Sequence, residues 1–189
     1  MSLKLITAPT TEPVTLAEAQ VQCRVDDATF DNAILSMIKS ARMAAEELSG
    51  RSLISQTWEI TLDNFPDQIR LPRPPVTSIV SVKYMDVNNV EQTLSSGSYT
   101  LDNASDDGVH WLVLAANTSW PLTYENINVV KVRYIAGYVN AAAVPETIKQ
   151  WMLYKISTMF DNPSGMIIGK TMNQIPFMDN LINQHKVYN

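Results

Sequence analysis

The hydrophobic period of the sequence changes at Gly50, and this change restricts the fold more than any other feature. Before it, apolar residues recur at helical spacing from Phe30 to Leu48, which predicts an amphipathic helix with a left-handed cap at Gly50. After it, apolar and polar residues alternate from Ile54 to Leu62, as in a strand with one buried face. The chain is therefore predicted to place helices before strands.

The predicted central helix has a defined start and a polar side. Asp26 or Asp27 is a suitable N-cap for it, because a short side-chain oxygen can accept from the first free backbone N–H groups. Its charged residues fall mostly on the side opposite the apolar stripe; they are Lys39, Arg42, Glu46 and Glu47. We expect this helix to be structural, with its stripe buried.

Two further helices flank the strand-rich middle. Thr15 and Glu18 form a capping-box pattern, which predicts a short helix from Leu16 to Cys23. Pro145 is suited to the first turn of a last long helix, which ends before the turn signal at 162–165. A further helix over 177–184 is consistent with the sequence but has weaker signals.

The middle of the chain is predicted to be antiparallel sheet. Val80, Val82 and Tyr84 are expected on one face of a strand over 79–85, and Asp86-Val87-Asn88-Asn89 predicts a hairpin loop after it. The other predicted strands cover 90–94, 98–101, 109–114 and 128–135.

The predicted fold class is α+β, in which N-terminal helices and a C-terminal helix form a helical bundle with an inserted antiparallel β-rich lobe. The predicted division is a helical part at 1–50, the β-rich lobe at 51–140, a helix completing the helical core at 141–162, and a tail at 163–189 that contacts a partner or a neighbour.

Charge and composition exclude several classes of protein. There are 14 Lys and Arg against 19 Asp and Glu, a formal net charge of −5, which argues against a protein that wraps DNA electrostatically. Cys23 is the only cysteine, so no internal disulfide is possible and a reducing compartment suits the chain. The sequence has no apolar run long enough for a membrane span and no signal-peptide pattern at its start, so a soluble intracellular protein is expected.

The sequence predicts no catalytic, cofactor or metal site. The acidic turn with Asp102, Asp106 and Asp107 lacks EF-hand spacing, and Gly169-Lys170-Thr171 lacks the spacing and preceding strand of a phosphate-binding loop. Asp63 and Asp67, or the lone His110, could in principle serve acid–base hydrolysis. A small hydrolase using Asp63, Asp67 or His110 stays an open alternative.

Two groups of residues are candidates for contacts with partners or neighbouring subunits. Arg70 and Arg73 flank a stiff proline-rich segment and could pair with a carboxylate or a phosphate. The segment after Pro163 is too apolar for an ordinary disordered tail, so it is expected to dock on its own domain or on a partner. Its candidate interface residues are Phe177, Met178, Leu181 and Ile182.

The order of several short motifs resembles that of phage head-tail connector (adaptor) proteins, in their longer form with a β-rich insertion, which are often labelled as possible DNA-packaging proteins. The motifs span about Leu5 to Asn162. They are Pro13-Val14-Thr15-Leu16-Ala17-Glu18-Ala19, Arg24-Val25-Asp26-Asp27, Gly50-Arg51-Ser52-Leu53-Ile54-Ser55-Gln56-Thr57-Trp58, Leu71-Pro72-Arg73-Pro74-Pro75-Val76, Ser119-Trp120-Pro121, Val132-Arg133-Tyr134-Ile135-Ala136-Gly137-Tyr138 and Val144-Pro145-Glu146-Thr147-Ile148-Lys149.

The resemblance implies a structural protein that forms a ring, typically twelve-fold, under the portal. The ring would extend the DNA channel without binding DNA specifically and would dock the next neck or tail protein. It implies no enzyme activity, no cofactor and no membrane, and a place in the host cytoplasm during assembly and then in the virion neck. Besides the small hydrolase, two alternatives stay open: another neck or tail component, such as a stopper or tail terminator, or a monomeric binding module whose β-lobe holds a ligand.

Overall fold

The computed structural model describes residues 1–105, 108–163 and 176–188, and it omits the side chains of 176 and 177. The described chain forms two compact units. Of the described residues, those within 1–9 and 55–137 form a strand unit, and those within 10–54 and 138–189 form a helical unit. The fold class is α+β, as predicted. Within the described residues, no helix is both long enough and apolar enough to cross a membrane.

The strand unit consists of two antiparallel sheets. The five-stranded sheet has the order β1-β2-β8-β4-β5, and its strands are β1 (Ser2–Thr7), β2 (Gln56–Leu62), β8 (Val130–Ala136), β4 (Val76–Met85) and β5 (Glu91–Thr93). The three-stranded sheet has the order β3-β7-β6, and its strands are β3 (Gln68–Leu71), β7 (His110–Leu114) and β6 (Tyr99–Asp102). One apolar core serves both sheets.

The central strand β8 shows why this sheet has one buried face and one solvent-exposed face. Val130, Val132 and Tyr134 are fully buried, whereas Lys131 and Arg133 between them are partly exposed. Successive side chains of a strand point to opposite faces, so this alternation determines the face of every residue paired with β8. The core face packs against the other sheet, and the opposite face carries charged side chains.

Strand β4 departs from simple alternation. Its pairing with β8 shifts register between Val76 and Ser78 and again between Ile79 and Ser81. Each shift inserts one extra residue, as in a β-bulge, and reverses the side-chain alternation at that point. The prediction that Val80 shares the buried face of Val82 was therefore wrong, since Val80 is half-exposed.

Two strands were not predicted from the sequence. Residues 1–50 were expected to be a helical part, but β1 pairs with β2 from Ser2↔Thr61 to Thr7↔Thr57 and belongs to the strand unit. Strand β3 pairs with β7 over four residues. Both are short, and their patterns become informative only beside their partner strands.

The helical unit contains α1 (Leu16–Cys23), α2 (Asp31–Ser49), α3 (Glu146–Asp161) and α4 (Pro176–Asn183). The capping box at Thr15 is present, with the Thr15 hydroxyl accepting from the Glu18 N–H and the Glu18 carboxylate accepting from the Thr15 N–H. Asp27 caps a short 3₁₀ turn that precedes α2, and Gly50 closes α2 in the left-handed conformation, with φ of 71°.

The core of the helical unit is built on the predicted stripe of α2. Ile34, Ile38 and Ala41 are buried, and they pack in one cluster with Ile148 and Met152 of α3. The ends of the stripe, Phe30 and Leu48, are half-exposed.

Two residues predicted on the solvent side of α2 are buried instead. Arg42 is 5% exposed and Glu46 is 8% exposed. The Arg42 guanidinium donates to the carboxylate of Glu46 at 2.8 Å and to that of Glu12 at 2.7 Å, and Glu46 accepts from the Leu53 N–H at 3.0 Å. A charged group enters an interior only with such partners, and here they come from segments before and after the helix.

Candidate interaction surfaces

The predicted arginine pair lies in the strand unit. Arg70 is on β3, and its neighbours Ile69 and Leu71 are buried, so alternation directs Arg70 away from the core. Arg73 follows three residues later in the left-handed conformation, with φ of 62°. Its guanidinium carbon lies 5.7 Å from the centroid of the Trp58 ring, within the range of a cation–π contact.

The segment that carries Arg73 is anchored by a buried tyrosine. The Tyr134 hydroxyl donates to the carbonyl of Pro72 at 2.9 Å. Burial raises the pKa of Tyr134 far above its ordinary value, and the nearby Arg73 opposes this shift only in part. Tyr134 therefore stays protonated as a donor, and the backbone next to Arg73 is held in place.

The predicted tail residues lie in the helical unit and have different surroundings. Ile182 of α4 is 2% exposed and belongs to the core cluster, and Leu181 packs against that cluster. Met178 is half-buried, and the side chain of Phe177 lies outside the described residues. Part of the predicted interface set thus anchors the segment on its own unit.

The residues after α4 are bound to the ends of two other helices. The Val187 N–H donates to the carbonyl of Ser49 at 2.8 Å, and Arg51 donates to the carbonyl of His185 at 2.7 Å. The ring of His185 also hydrogen-bonds the Thr147 hydroxyl at 2.7 Å. Burial, with a smaller effect of the Arg51 charge, lowers the pKa of His185, so its neutral form is favoured in the fold.

The outer face of the five-stranded sheet is a charged surface that the sequence analysis missed. Arg133 donates to Glu59 on the neighbouring strand at 2.7 Å. Lys83 contacts Glu91 at 2.8 Å and Lys131 contacts it at 3.4 Å, so one carboxylate bridges two lysines that face each other in the register. The hydrogen bond from Lys83, followed by the one from Lys131, lowers the pKa of Glu91. The sequence signal for this face was the alternation of Lys131 and Arg133 with apolar residues along β8.

The residues considered for hydrolysis do not form a catalytic arrangement. His110 is buried, and its Nδ1 accepts from the Val76 N–H at 2.9 Å, which is a structural role. Asp63 accepts from the Asn128 N–H at 2.9 Å, and both Asp63 and Asp67 are exposed. An acid–base pair needs one carboxyl in an apolar environment, which neither of these has.

No cluster of potential metal ligands occurs among the described residues. Two members of the acidic turn considered for calcium, Asp106 and Asp107, lie outside the described residues, as does the segment with Gly169-Lys170-Thr171.

Comparison with known proteins gives one family and one fold. The model of the phage gp6-like head-tail connector protein family matches residues 13–109, just over half of the chain. Among curated proteins, no match to the sequence is found.

Several solved structures have the same fold over the whole chain. A chain in the neck of an empty GTA particle, computed with C6 symmetry, is 20% identical with a TM-score of 0.79. A chain in the virion of a native gene transfer agent (GTA) particle is 21% identical with a TM-score of 0.78, and one in the neck of a native GTA particle, computed with C12 symmetry, is 22% identical with a TM-score of 0.71. Each alignment covers 100% of this chain and 97% of the other. On the match over residues 13–109, this chain belongs to the family of phage gp6-like head-tail connector proteins.

Proposed function

We propose that the protein is the subunit of a ring at the head-tail junction of a phage-like particle, and that this ring lies under the portal and docks the next neck or tail protein. The observation that carries the proposal is the full-length fold match to neck chains of particles computed with C6 and C12 symmetry. A twelve-fold ring that extends the DNA channel agrees with the second of these symmetries.

The net charge of the protein supports a structural role in such a ring. A net charge of −5 disfavours tight binding of DNA phosphates, so DNA would pass through the channel without specific contacts. The protein would assemble in the host cytoplasm and remain in the virion neck.

We assign the contacts with portal or neighbour to the exposed parts of both units. We infer that the helices of the helical unit form the predicted bundle. Leu181 and Ile182 pack in its core cluster and anchor α4, while Phe177 and Met178 are the candidates for contact with another chain. In the strand unit, Arg70 points away from its core, and the Arg73 side chain lies over Trp58. A planar guanidinium at either position could bind a carboxylate of another chain.

The test is the native mass of the purified protein over a concentration series, with negative-stain images of the heaviest species and capture on purified portal rings. Closed rings, in solution or on portal, are expected. A protein that stays monomeric at every concentration and is not captured by portal rings would contradict the proposal.

The tail assignment has its own test in the same capture experiment. Phe177→Ser with Met178→Ser should reduce capture on portal rings or ring closure, whereas Asn180→Ala on the exposed side of α4 should not. Equal capture of both variants would remove these two residues from the interface.

A further inference from the structure

Ten charged side chains of the strand unit lie on two surfaces of opposite net charge. The outer face of the five-stranded sheet carries four cationic side chains and two carboxylates. They are Lys4, Lys83, Lys131 and Arg133 with Glu59 and Glu91. Lys4 shares this face because it lies directly opposite Glu59 in the pairing of β1 and β2. This face therefore has an excess of two positive charges in a protein whose net charge is −5.

The salt bridges on this face leave that excess unneutralised. Glu59 is occupied by two donors of the Arg133 guanidinium, at 2.7 and 3.0 Å. Glu91 is shared between Lys83 and Lys131, whose side chains are 44% and 41% exposed. The cationic side chains are thus oriented by the carboxylates between them and remain open to an external anionic group.

A second surface of the same unit has the opposite charge. At the end of the sheet where β2 and β4 finish and β8 begins, three loops cover residues 63–67, 86–90 and 115–129. They contain the carboxylates Asp63, Asp67, Asp86 and Glu125 and no Lys or Arg. The Asn128 N–H donates to the Asp63 carboxylate, which joins two of these loops, and the Tyr124 N–H donates to the carbonyl of Met85 at the end of β4.

The same three loops expose large apolar side chains. Leu122 is 81% exposed and Ile127 is 70% exposed, and Val87, Val90 and Tyr124 are also exposed. Phe65 stacks on Trp120 at 4.7 Å and meets Tyr84 edge-on at 5.7 Å, so the loops are held to the core from beneath. We call this surface the acidic end. Apolar side chains presented together on an ordered scaffold mark a protein interface.

We propose that the acidic end of one copy binds the cationic outer face of the five-stranded sheet of the next copy. The inference rests on the proposed ring function, because a closed ring needs two different complementary surfaces on each subunit. The end and the outer face of one sheet are different surfaces, and their charges are opposite. Val80, exposed at the bulge of β4, adds an apolar side chain beside the cationic ones. Opposite potentials orient the two copies, and the apolar side chains provide contact area.

Charge reversal on each surface tests the proposal. The face variant carries Lys4→Glu and Lys131→Glu. The end variant carries Asp67→Lys and Glu125→Lys, which spares Asp63 and Asp86 because both accept backbone hydrogen bonds. The control variant carries Lys39→Glu and Lys155→Glu, two exposed lysines of the helical unit with the same change in charge as the face variant. Sedimentation velocity at low salt measures assembly, and circular dichroism verifies that each variant is folded.

The face and end variants should each lose at least tenfold in the strength of self-association, and the control should assemble like the wild type. An equimolar mixture of the two variants should assemble again, because each reversed face then meets a reversed end. A chain carrying all four changes, Lys4→Glu, Lys131→Glu, Asp67→Lys and Glu125→Lys, should also assemble, because both of its surfaces are reversed. Two results would overturn this inference and leave the ring function standing. Either both variants assemble as strongly as the wild type, or both lose assembly and do not regain it when mixed.

The apolar part of the acidic end has a separate control. Leu122→Ser with Ile127→Ser should weaken assembly, whereas Val21→Ser with Val139→Ser, which changes equally exposed residues of the helical unit, should not. Equal behaviour of the two pairs would contradict a role for the loops. A wild type that forms no ring in solution or on portal would overturn the ring function and this inference together.

Discussion

In the helical unit the ion pairs of Arg42 lie in the interior, whereas in the strand unit the ion pairs of Glu91 lie on an open sheet face. Arg42 is 5% exposed and joins Glu12 and Glu46, which come from different parts of the chain. Glu91 is 42% exposed and bridges two lysines on adjacent strands. Water screens the second set more strongly than the first. Removing a partner of Arg42 therefore leaves a charge in the interior, whereas the charges around Glu91 remain available to other chains.

The apolar residues show the same difference. The C-terminal segment of the helical unit buries Ile182 and bonds the ends of α2 and α3. The loops at the acidic end instead expose Leu122 and Ile127 above a stacked aromatic pair. Substitutions in the core of the helical unit should therefore change stability, and those on the outer surfaces of the strand unit should change assembly.

The largest effect is expected from Ile34→Asp in the core of the helical unit. An unpaired carboxylate at a fully buried site should cost more than about 4 kcal/mol of unfolding free energy or prevent folding. Leu35→Asp is the matched control, since Leu35 is half-exposed on the same helix and should cost less than about 1 kcal/mol. Urea unfolding followed by circular dichroism measures both, and equal losses would show that the stripe is not buried.

Arg42→Met should have the next largest effect. It leaves the buried carboxylate of Glu46 without its cation, which should cost about 3 kcal/mol in urea unfolding. Lys39→Met, three residues earlier and exposed, is the control and should be nearly neutral. If Arg42→Met were as mild as the control, the contrast between interior and surface ion pairs would fail.

Ile182→Ala distinguishes a C-terminal segment that packs on its own unit from one that packs only on a partner. Removing a side chain that is 2% exposed should cost about 2–4 kcal/mol, because a cavity remains in the core cluster. The same unfolding measurement on Asn180→Ala, at an exposed position of α4, should show little change. An unchanged midpoint for Ile182→Ala would place the residue in an interface instead.

A smaller, pH-dependent effect is expected from His185. Its pKa is lowered in the folded state, first by burial and then by Arg51, so the folded state binds fewer protons than the unfolded state. The contribution to stability is complete above the ordinary histidine pKa of about 6.5 and is lost as the pH falls below it. Thermal unfolding between pH 7.5 and 5 should show a steeper loss for the wild type than for His185→Gln, and parallel curves would contradict this.

The smallest effect is expected from Glu91→Gln on the open sheet face. The carboxylate is solvent-exposed, so breaking its two lysine contacts should leave the urea midpoint unchanged within error. Self-association should still respond to the added positive charge. A loss of stability comparable to that of Arg42→Met would remove the distinction between the two units.

Much of the local structure could be predicted because its causes are contiguous in sequence. The capping box at Thr15, the cap at Gly50 and the helix over 16–23 depend on residues within one or two turns. The alternation of β8 is likewise visible within seven residues. The motif order indicated the connector family, which the match over residues 13–109 confirms.

The candidate interface residues were harder to predict, because exposure depends on what packs against each side chain. Phe177, Met178, Leu181 and Ile182 have similar apolar character, yet Ile182 is buried in the core of its own unit. Arg70 and Arg73 look alike in sequence, but Arg73 lies over Trp58, which comes from a distant strand. The charged sheet face needed the pairing of five strands before its members could be recognised.

By itself, the sequence determined the helix caps at Thr15 and Gly50, the change from helical to strand period, the acidic net charge and the family. The tertiary structure decided that β1 completes the sheet, that Val80 turns outward at a bulge, that Arg42 lies inside with Glu12 and Glu46, and that the C-terminal segment binds the ends of two helices. The physical reason is the same in each case. A cap or a period arises from neighbours along the chain, whereas burial and charge pairing arise from groups that become neighbours only after folding.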